Sequence, residues 1–462
     1  MDSGNVATPT IEYREMSSKW PKIRALMGGT EAFRQAGETY LPKHYAETNS
    51  RYKERLKCSV LKNYFQSTVD HMTGKVFSKP VVVEKSDSDL DKILNNADRL
   101  GSDITDFSSG IFQNALAVGL HFVLVDYPTT PQGMNLAQER QVNARPYFVS
   151  VKAEDVIGIK LSSDKTTIEE ARIYEVSTEY TGRWSQTQVH RVRVLYPGGF
   201  ELWKRIQKND GDDWILETEG SMSINEVPLI PFYTKKIRPF YATPPLEDLA
   251  DLNITHWQSY SDQRSILSVT RFPILGASGY DSEDDPEVEI GPFKLLATSD
   301  SQGKYYYIEH SGTAIEAGRK DLEDLKDEMA MFGIDIMLPQ VAGGNATATQ
   351  SQISNVNTSS KLQRMARGYE SSMNEVLRIT QKWRGKNDDI KCTLRGNFEM
   401  PRETTDEIQQ LIVARQAGEI SRPTFYKECQ RRGFLSDDFD AIEEAELLDA
   451  EQPTGFSGFG DL

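Results

Sequence analysis

The stretch Pro245-Leu246-Glu247-Asp248-Leu249-Ala250-Asp251-Leu252-Asn253-Ile254 marks the point where the middle of the chain becomes helical. Apolar residues from Leu246 onward recur every three or four positions, and a proline suits the first turn of a helix. The pattern predicts one helix that begins at residue 244 and runs to about Ser268, a rod of roughly 35 Å. Pro273 stops it, because the residue before a proline is pushed out of helical geometry.

Downstream of this helix, the apolar spacing predicts two further helices separated by a glycine-bearing segment. Residues 271–312 contain several prolines and a strand-like run near Ile308. A second helix is predicted over residues 313–332, and a long polar helix over residues 348–384. Two shorter helices follow, each ended by a glycine. They cover residues 404–417 and 422–432.

Upstream, the pattern changes from helical to alternating. Residues 1–16 resemble a loose tail, and apolar residues at three-to-five spacing predict a single helix over residues 48–77. Another helix is predicted over residues 104–118, followed by a buried strand from His121 to Asp126. From there to Tyr233 the period is two, which is typical of strands. Helices on both sides of a β-rich section predict an α+β protein of several parts.

The composition describes an ordered, acidic chain with a low apolar share. Its 462 residues are 38% hydrophobic, and the formal net charge is −16. This charge argues against a general basic surface that wraps nucleic acid. No run of 18 apolar residues occurs, and the three cysteines lie too far apart to indicate a disulfide framework or a zinc site. We therefore expect a reducing, intracellular compartment.

Sequence patterns for catalysis or nucleotide binding are absent. The chain has no GxxxxGK[ST], GxGxxG, HExxH or GxSxG motif, and its six histidines never occur at metal-ligand spacing. His121 opens an apolar strand and is best explained as a hydrogen-bonded core histidine. Gly343-Gly344-Asn345 precedes a helix, as a phosphate-binding loop would, but no lysine follows it and no strand precedes it. We interpret this segment as a flexible loop between two helices.

One acidic cluster leaves an enzymatic alternative open. Six carboxylates occur within nine residues: Asp281, Glu283, Asp284, Asp285, Glu287 and Glu289. They could hold the metal of a nuclease, but such sites place carboxylates on rigid strand ends, whereas this run contains Pro286. A solvated loop in a non-enzymatic protein is the preferred interpretation, and a metal-dependent nuclease is the alternative.

Positive charge is concentrated in two helical segments of this acidic chain. Residues 51–79 and residues 351–386 each contain seven basic residues against two acidic ones. Either these cations pair with acidic surfaces of the same or a neighbouring subunit, or one segment passes near nucleic acid.

Several stretches, in the same order along the chain, resemble a family of tailed-bacteriophage portal proteins, the DUF4055 group. The clearest is the Pro245–Ile254 stretch quoted above, with Ser261-Asp262 shortly after it. The others are MGGTEAFRQAGETYLP (residues 27–42), VDHMTGKVFSKP (residues 69–80), GEIS (residues 418–421) and RGFLSDDFD (residues 432–440).

The resemblance implies a ring, of twelve subunits in portal proteins, at one capsid vertex through which double-stranded DNA is packaged and ejected. It implies the terminase large subunit, the head–tail adaptor, and the major capsid and scaffolding proteins as partners. The expected location is the portal vertex of the virion, with assembly in the host cytoplasm. No cofactor, metal, catalytic residue or membrane is implied. A capsid or adaptor component that does not conduct DNA is a further alternative.

The resemblance also assigns parts to the predicted segments: a wing (1–243, with a return at 385–420), stem helices (244–270 and 313–332), a clip (271–312), a tunnel loop (333–347), a long helix (348–384), and a crown with an acidic tail (421–462). It places Gln340, Gly343, Gly344 and Asn345 in the tunnel loop facing DNA. It places Asp284, Glu287 and Lys294 on the docking surface of the clip. Lys361, Arg364 and Arg367 are expected to form a basic band or to pair between subunits.

Overall fold

A computed structural model describes most of the chain, which divides into two compact units, Met1–Phe398 and Glu399–Leu462. The described residues are 4–128, 144–208, 211–270, 274–278, 302–308, 312–330, 348–396, 404–431, 434, 435, 439–441 and 444. Helices and antiparallel strands both contribute to the first unit, so the predicted α+β class is confirmed. Among the described helices, none combines the length and the apolar character that crossing a membrane would require.

The described part of the amino-terminal segment, residues 4–16, is structured, so the prediction of a loose tail is wrong there. Helix α1 spans Ile11–Ser17, and the Thr10 side chain accepts a hydrogen bond from the backbone N–H of Tyr13. The Tyr13 hydroxyl donates to the carbonyl of Glu154 at 2.9 Å, and the Arg172 guanidinium donates to the carbonyl of Val6 at 2.9 Å. Short-range sequence patterns do not register these contacts, because the partners lie more than 140 residues away.

The predicted single helix over residues 48–77 is two helices. Helix α4 spans Asn49–Cys58 and helix α5 spans Tyr64–Val76. The break arises because Asn63 caps α5, its side chain accepting from the N–H of Gln66, which requires non-helical backbone at Asn63. The carbonyl of Ser59 in the break accepts from the Arg34 guanidinium at 2.8 Å. The remaining helices before the sheets are α2 (Trp20–Met27), α3 (Gly29–Ala36), α6 (Ser88–Leu94) and α7 (Ile104–Val118).

A small antiparallel sheet forms the centre of the first unit. Strands β2 (Leu120–Asp126), β3 (Tyr147–Lys152) and β9 (Leu229–Tyr233) pair in the order β3-β2-β9. Helix α7 packs on this sheet, and the first six residues of β2 are buried. Between α7 and β2, Gly119 adopts a φ of 95°, a left-handed conformation that ends the helix.

A five-stranded meander forms the second sheet, with strands joined by short connections. The strands are β4 (Val156–Leu161), β5 (Ile168–Tyr180), β6 (Gln186–Tyr196), β7 (Gly199–Lys208) and β8 (Gly211–Ser221). Gly198 in the turn of the β6–β7 hairpin has a φ of 81°, which glycine adopts without strain. Two short paired strands, β10 (Lys236–Arg238) and β11 (Tyr241–Ala242), follow β9.

The helical middle of the chain closely follows the sequence prediction. Helix α8 spans Glu247–Thr270, and helix α9, spanning Thr313–Ala330, packs against it. Between them, β12 (Ile274–Ser278) pairs with β13 (Lys304–Ile308). Helix α10 spans Ala348–Trp383 and leads to β14 (Lys391–Thr393), which pairs with β1 (Val82–Glu84). In the second unit, α11 spans Thr404–Gln416 and α12 spans Arg422–Arg431.

Replacing Gly119 should destabilise the protein strongly. A Cβ at this position would lie 2.4 Å from the carbonyl oxygen of Thr243, a backbone atom, and the positive φ adds strain. We expect G119A to lower the free energy of unfolding by about 2–4 kcal/mol. Urea unfolding followed by circular dichroism measures the change.

The matched control is G110A in α7, where a Cβ would meet no atom within 4 Å. This helical substitution should be neutral or stabilising by up to about 1 kcal/mol. Equal effects of G119A and G110A would contradict the assignment of strain to Gly119.

Candidate functional site

The candidate site lies on the outward face of α10. Its inward face is apolar and buried, with Leu362, Ala366, Tyr369, Met373 and Leu377. This spacing of three to four residues defines one side of a helix. The residues on the opposite side of the helix are polar or charged. From residue 361 onward, where the structure describes the side chains, this side of α10 therefore presents charge to the solvent.

A groove of about 780 Å³ runs between α10 and β9. Lys235, Lys236 and Arg364 stand on its rim, and Ile230 and Met365 contribute apolar surface. We use the name cationic groove for this feature together with Lys361 and Arg367, which lie on the same helix one turn away.

The two elements are in van der Waals contact along this groove, at Gly368 of α10. A Cβ on Gly368 would lie 3.7 Å from the carbonyl oxygen of Tyr233. The hydroxyl of Ser372 donates to the carbonyl of Pro231 at 2.8 Å and fixes the helix on the strand.

The cations of the groove form no ion pair with a described carboxylate, and Glu375, which also lines the groove, pairs with Arg378 instead. Lys361, Arg364 and Arg367 are exposed, and none forms an ion pair within the described part of the chain. Lys236 places its ammonium 4.9 Å from the centroid of the Tyr233 ring, a cation–π contact that leaves the positive charge in place. The groove therefore suits an anionic ligand surface.

The carboxyl-terminal half of α10 behaves differently, because its cations pair within the subunit. The Arg378 guanidinium lies 2.8 Å from a carboxylate oxygen of Glu226, and the Lys382 ammonium lies 2.7 Å from the other. Arg384, just after the helix, lies 2.6 Å from Asp87. For this half, pairing with acidic surfaces of the same subunit is confirmed.

Asp87 fastens the end of α10 to the amino-terminal helices. Its carboxylate accepts hydrogen bonds from the side chains of Lys386 and Arg384 and from the backbone N–H of Leu90, which it caps. The Lys386 ammonium, together with the Leu90 N–H and the Arg384 guanidinium, holds the pKa of the Asp87 carboxyl far below its usual range.

The second basic segment, residues 51–79, is also partly neutralised internally. The Arg55 guanidinium lies 2.8 Å from Glu47 in a largely buried pair, and it holds the pKa of Glu47 below its usual value. The Lys62 ammonium lies 4.6 Å from the centroid of the Tyr260 ring. Arg51, Lys53 and Lys57 are exposed on α4, interleaved with the exposed acidic Glu54.

The predicted site residues fall into two groups. Lys361, Arg364 and Arg367 lie together on α10, as described above. Two predicted sets lie outside the described residues and stay predictions: Gln340, Gly343, Gly344 and Asn345 of the tunnel loop, and Asp284, Glu287 and Lys294 of the clip surface. The carboxylate cluster of residues 281–289 lies outside them as well. Sequence reasoning missed Lys235 and Lys236, although two adjacent lysines directly after a buried strand are a visible signal.

His121, one of the six histidines, lies among the buried residues of the first unit. Its Nε2 lies 2.8 Å from the Ser150 hydroxyl, which confirms the prediction of a hydrogen-bonded core histidine. Burial lowers the pKa of His121 to about 3, so it is neutral at physiological pH. Among the residues that the structure describes, no three histidine, cysteine or carboxylate side chains are grouped so that they could hold a metal ion.

The middle of the chain is similar to a described protein family. Residues 245–384 match the family described as "Domain of unknown function (DUF4055)", which confirms the predicted resemblance over that part. No curated protein matches the sequence.

Three solved structures with a similar chain are from gene transfer agent (GTA) particles. One from the neck of an empty particle, computed with C6 symmetry, has a TM-score of 0.41 at 10% identity, covering 83% of this chain and 89% of that one. One from the virion of the native particle has a TM-score of 0.41 at 11% identity, covering 93% and 99%. One from the neck of the native particle, computed with C12 symmetry, has a TM-score of 0.42 at 10% identity, covering 78% and 87%.

Removing the charge of Asp87 should loosen the attachment of α10. D87N keeps a side chain that can cap α6 but loses the ion pairs. The carboxylate is partly exposed, so solvent screening limits the expected loss at pH 7 to about 1 kcal/mol. Because the pKa is depressed in the folded state, this contribution is complete above the unfolded value of about 3.9 and is lost as pH falls below it.

Urea unfolding of wild type and D87N between pH 3 and 7 measures this difference. The control is D89N, which loses an exposed pair with Lys92 and should change stability by no more than about 0.5 kcal/mol. A difference between wild type and D87N that grows as the solution is acidified would contradict the assigned role of Asp87.

Proposed function

We propose that this chain is a structural component of the head of a tailed phage: the portal subunit, which forms a ring at one capsid vertex. The ring would conduct double-stranded DNA during packaging and ejection. It would dock the terminase large subunit and later the head–tail adaptor, and contact the major capsid and scaffolding proteins. The proposed location is the portal vertex of the virion, reached by assembly in the host cytoplasm.

The observation that carries this proposal is the extent of the family match. Residues 245–384 contain α8, the β12–β13 pair, α9 and the whole of α10. Two helices that bracket a strand pair, followed by a long helix, are the arrangement implied by the resemblance to portal proteins, with α8 and α9 as stem helices and the strand pair in the clip. The tunnel loop, residues 333–347, would lie between α9 and α10.

The charge of the chain supports a conduit more than a tight nucleic-acid binder. Twelve copies of a chain with a net charge of −16 carry about −192 charges, so a broadly acidic bore would repel phosphate. DNA that meets no strong binding site can slide through the ring. A non-enzymatic role is part of the proposal, with the DNA moved by the docked motor.

Purified protein should assemble into a large ring under assembly conditions. Twelve copies of the 52.2 kDa chain have a mass of about 626 kDa. Mass photometry should detect this species, and electron microscopy should show an axial opening of at least about 20 Å, the width of a B-form duplex. Scaffolding protein and high concentration are included, because ring closure can depend on both.

The opposite result is a small species that persists under the same conditions and cleaves plasmid DNA with Mg²⁺ or Mn²⁺. If D284A and E287A abolish that cleavage, the carboxylates of residues 281–289 form a nuclease site and the portal proposal is wrong. A closed assembly without an opening wide enough for DNA would instead indicate a capsid or adaptor component.

Positive charge in the proposed tunnel loop should slow DNA movement. Residues 342–351 contain no charged side chain, so a passing duplex would meet steric contact without strong phosphate binding. We expect G344K and N345K to reduce the rate of packaging or ejection, measured by DNA protection in an in vitro packaging assay and by infectivity. G344Q and N345Q provide uncharged controls of similar size, and unchanged packaging and infectivity in the lysine variants would argue against the assignment of this loop.

A further inference from the structure

A carboxylate-bearing face on α9 complements the cationic groove. The inward side of α9 is defined by its contacts with α8, where Gln263 donates to the carbonyl of Ile315 at 2.9 Å and Met329 is fully buried. Asp324, Asp327 and Glu328 lie away from this side and are exposed. We call these three residues the acidic face. None of them forms an ion pair with another described residue.

The acidic face and the three cations of α10 are similar in extent. The three carboxylates extend over about 6 Å of helix, and Lys361, Arg364 and Arg367 extend over about 9 Å, at 1.5 Å per residue. Each set therefore lies within two turns of one helix face. No acidic residue interrupts the cations between Lys361 and Gly368.

The surfaces also lie on different elements of the subunit. Helix α9 packs on α8, whereas α10 packs on β9 and β14, and α5 contacts both α8 and α10. Two complementary surfaces on separate elements of one chain permit a head-to-tail contact, in which each copy uses one surface toward each neighbour. Repeated head-to-tail contacts close into a ring when the rotation between neighbours allows it.

We propose that the cationic groove of one subunit receives the acidic face of α9 from the next copy of this chain. The inference rests on the ring assembly proposed above and names the surfaces that form its subunit contact. It resolves the choice between a basic band and pairing between subunits in favour of pairing. Charge pairs of this kind select the partner and fix the register of the contact.

Two observations favour a protein partner over DNA phosphate. The groove has apolar surface from Ile230 and Met365 between its cations, which suits side chains and offers nothing to phosphate. The matching carboxylates are supplied by the chain itself and are left unpaired within the described residues. The exposed cations of α4 are a weaker candidate, because Glu54 lies among them.

Reciprocal charge reversal tests the contact. The basic-reversed variant R364E/R367E and the acidic-reversed variant D324R/D327R should each assemble at least about tenfold more weakly than wild type, because like charges then face each other. A 1:1 mixture of the two variants should assemble again, with the variants alternating around the ring. The chain that carries all four substitutions should assemble alone. Mass photometry over a concentration series measures each case.

The control is K53E/K57E, which makes the same change of charge on the exposed face of α4 and should leave assembly unchanged. Circular dichroism confirms that each variant is folded.

Wild-type rings with no weakening in the reversed variants, or reversed variants that the mixture does not rescue, would overturn this inference and leave the proposed function standing. Unchanged assembly with reduced DNA retention in R364E/R367E would assign the groove to phosphate instead. A wild-type chain that stays monomeric under assembly conditions would contradict both proposals.

Discussion

The placement of every charged surface on α10 depends on one buried aromatic cluster. Tyr369 of α10 lies with its ring centroid 4.9 Å from Phe232 of β9, 5.6 Å from Phe77 at the end of α5, and 6.0 Å from Phe112 of α7. These rings join four elements that are distant in sequence. Because Tyr369 is held inward, the residues on the other side of α10 must face the solvent, and the groove with β9 forms where the helix passes the strand.

Charge then divides α10 into two functional halves. The cations near its carboxyl end are used inside the subunit, where Glu226 and Asp87 attach the helix to the rest of the first unit. The cations of the cationic groove have no such partner in the described residues. One end of the helix is held by ion pairs, and the other carries cations without a described ion-pair partner. Such a helix is suited to bind a neighbouring molecule, and an acidic surface would complement its charge.

The helices could be predicted from sequence where the apolar period alone determines the structure. The spans of α7, α8, α9 and α10 agree with prediction to within a few residues. Prediction failed for residues 48–77, because the Asn63 cap breaks the helix although the apolar period continues. It also failed for the amino-terminal segment, because the residues that hold this segment lie more than 140 positions later in the chain. The cations of α10 were visible in the sequence, but their groove was not, because the segment after β9 supplies Lys235 and Lys236 from about 130 residues earlier.

The most direct test of the central claim is an electron cryomicroscopy reconstruction of the assembled protein at a resolution that shows side chains. We expect a closed ring in which Arg364 and Arg367 lie within 4 Å of carboxylates on α9 of the adjacent subunit, with an axial opening wide enough for duplex DNA. A ring in which these arginines line the bore, or an assembly whose subunits meet through other faces, would contradict it.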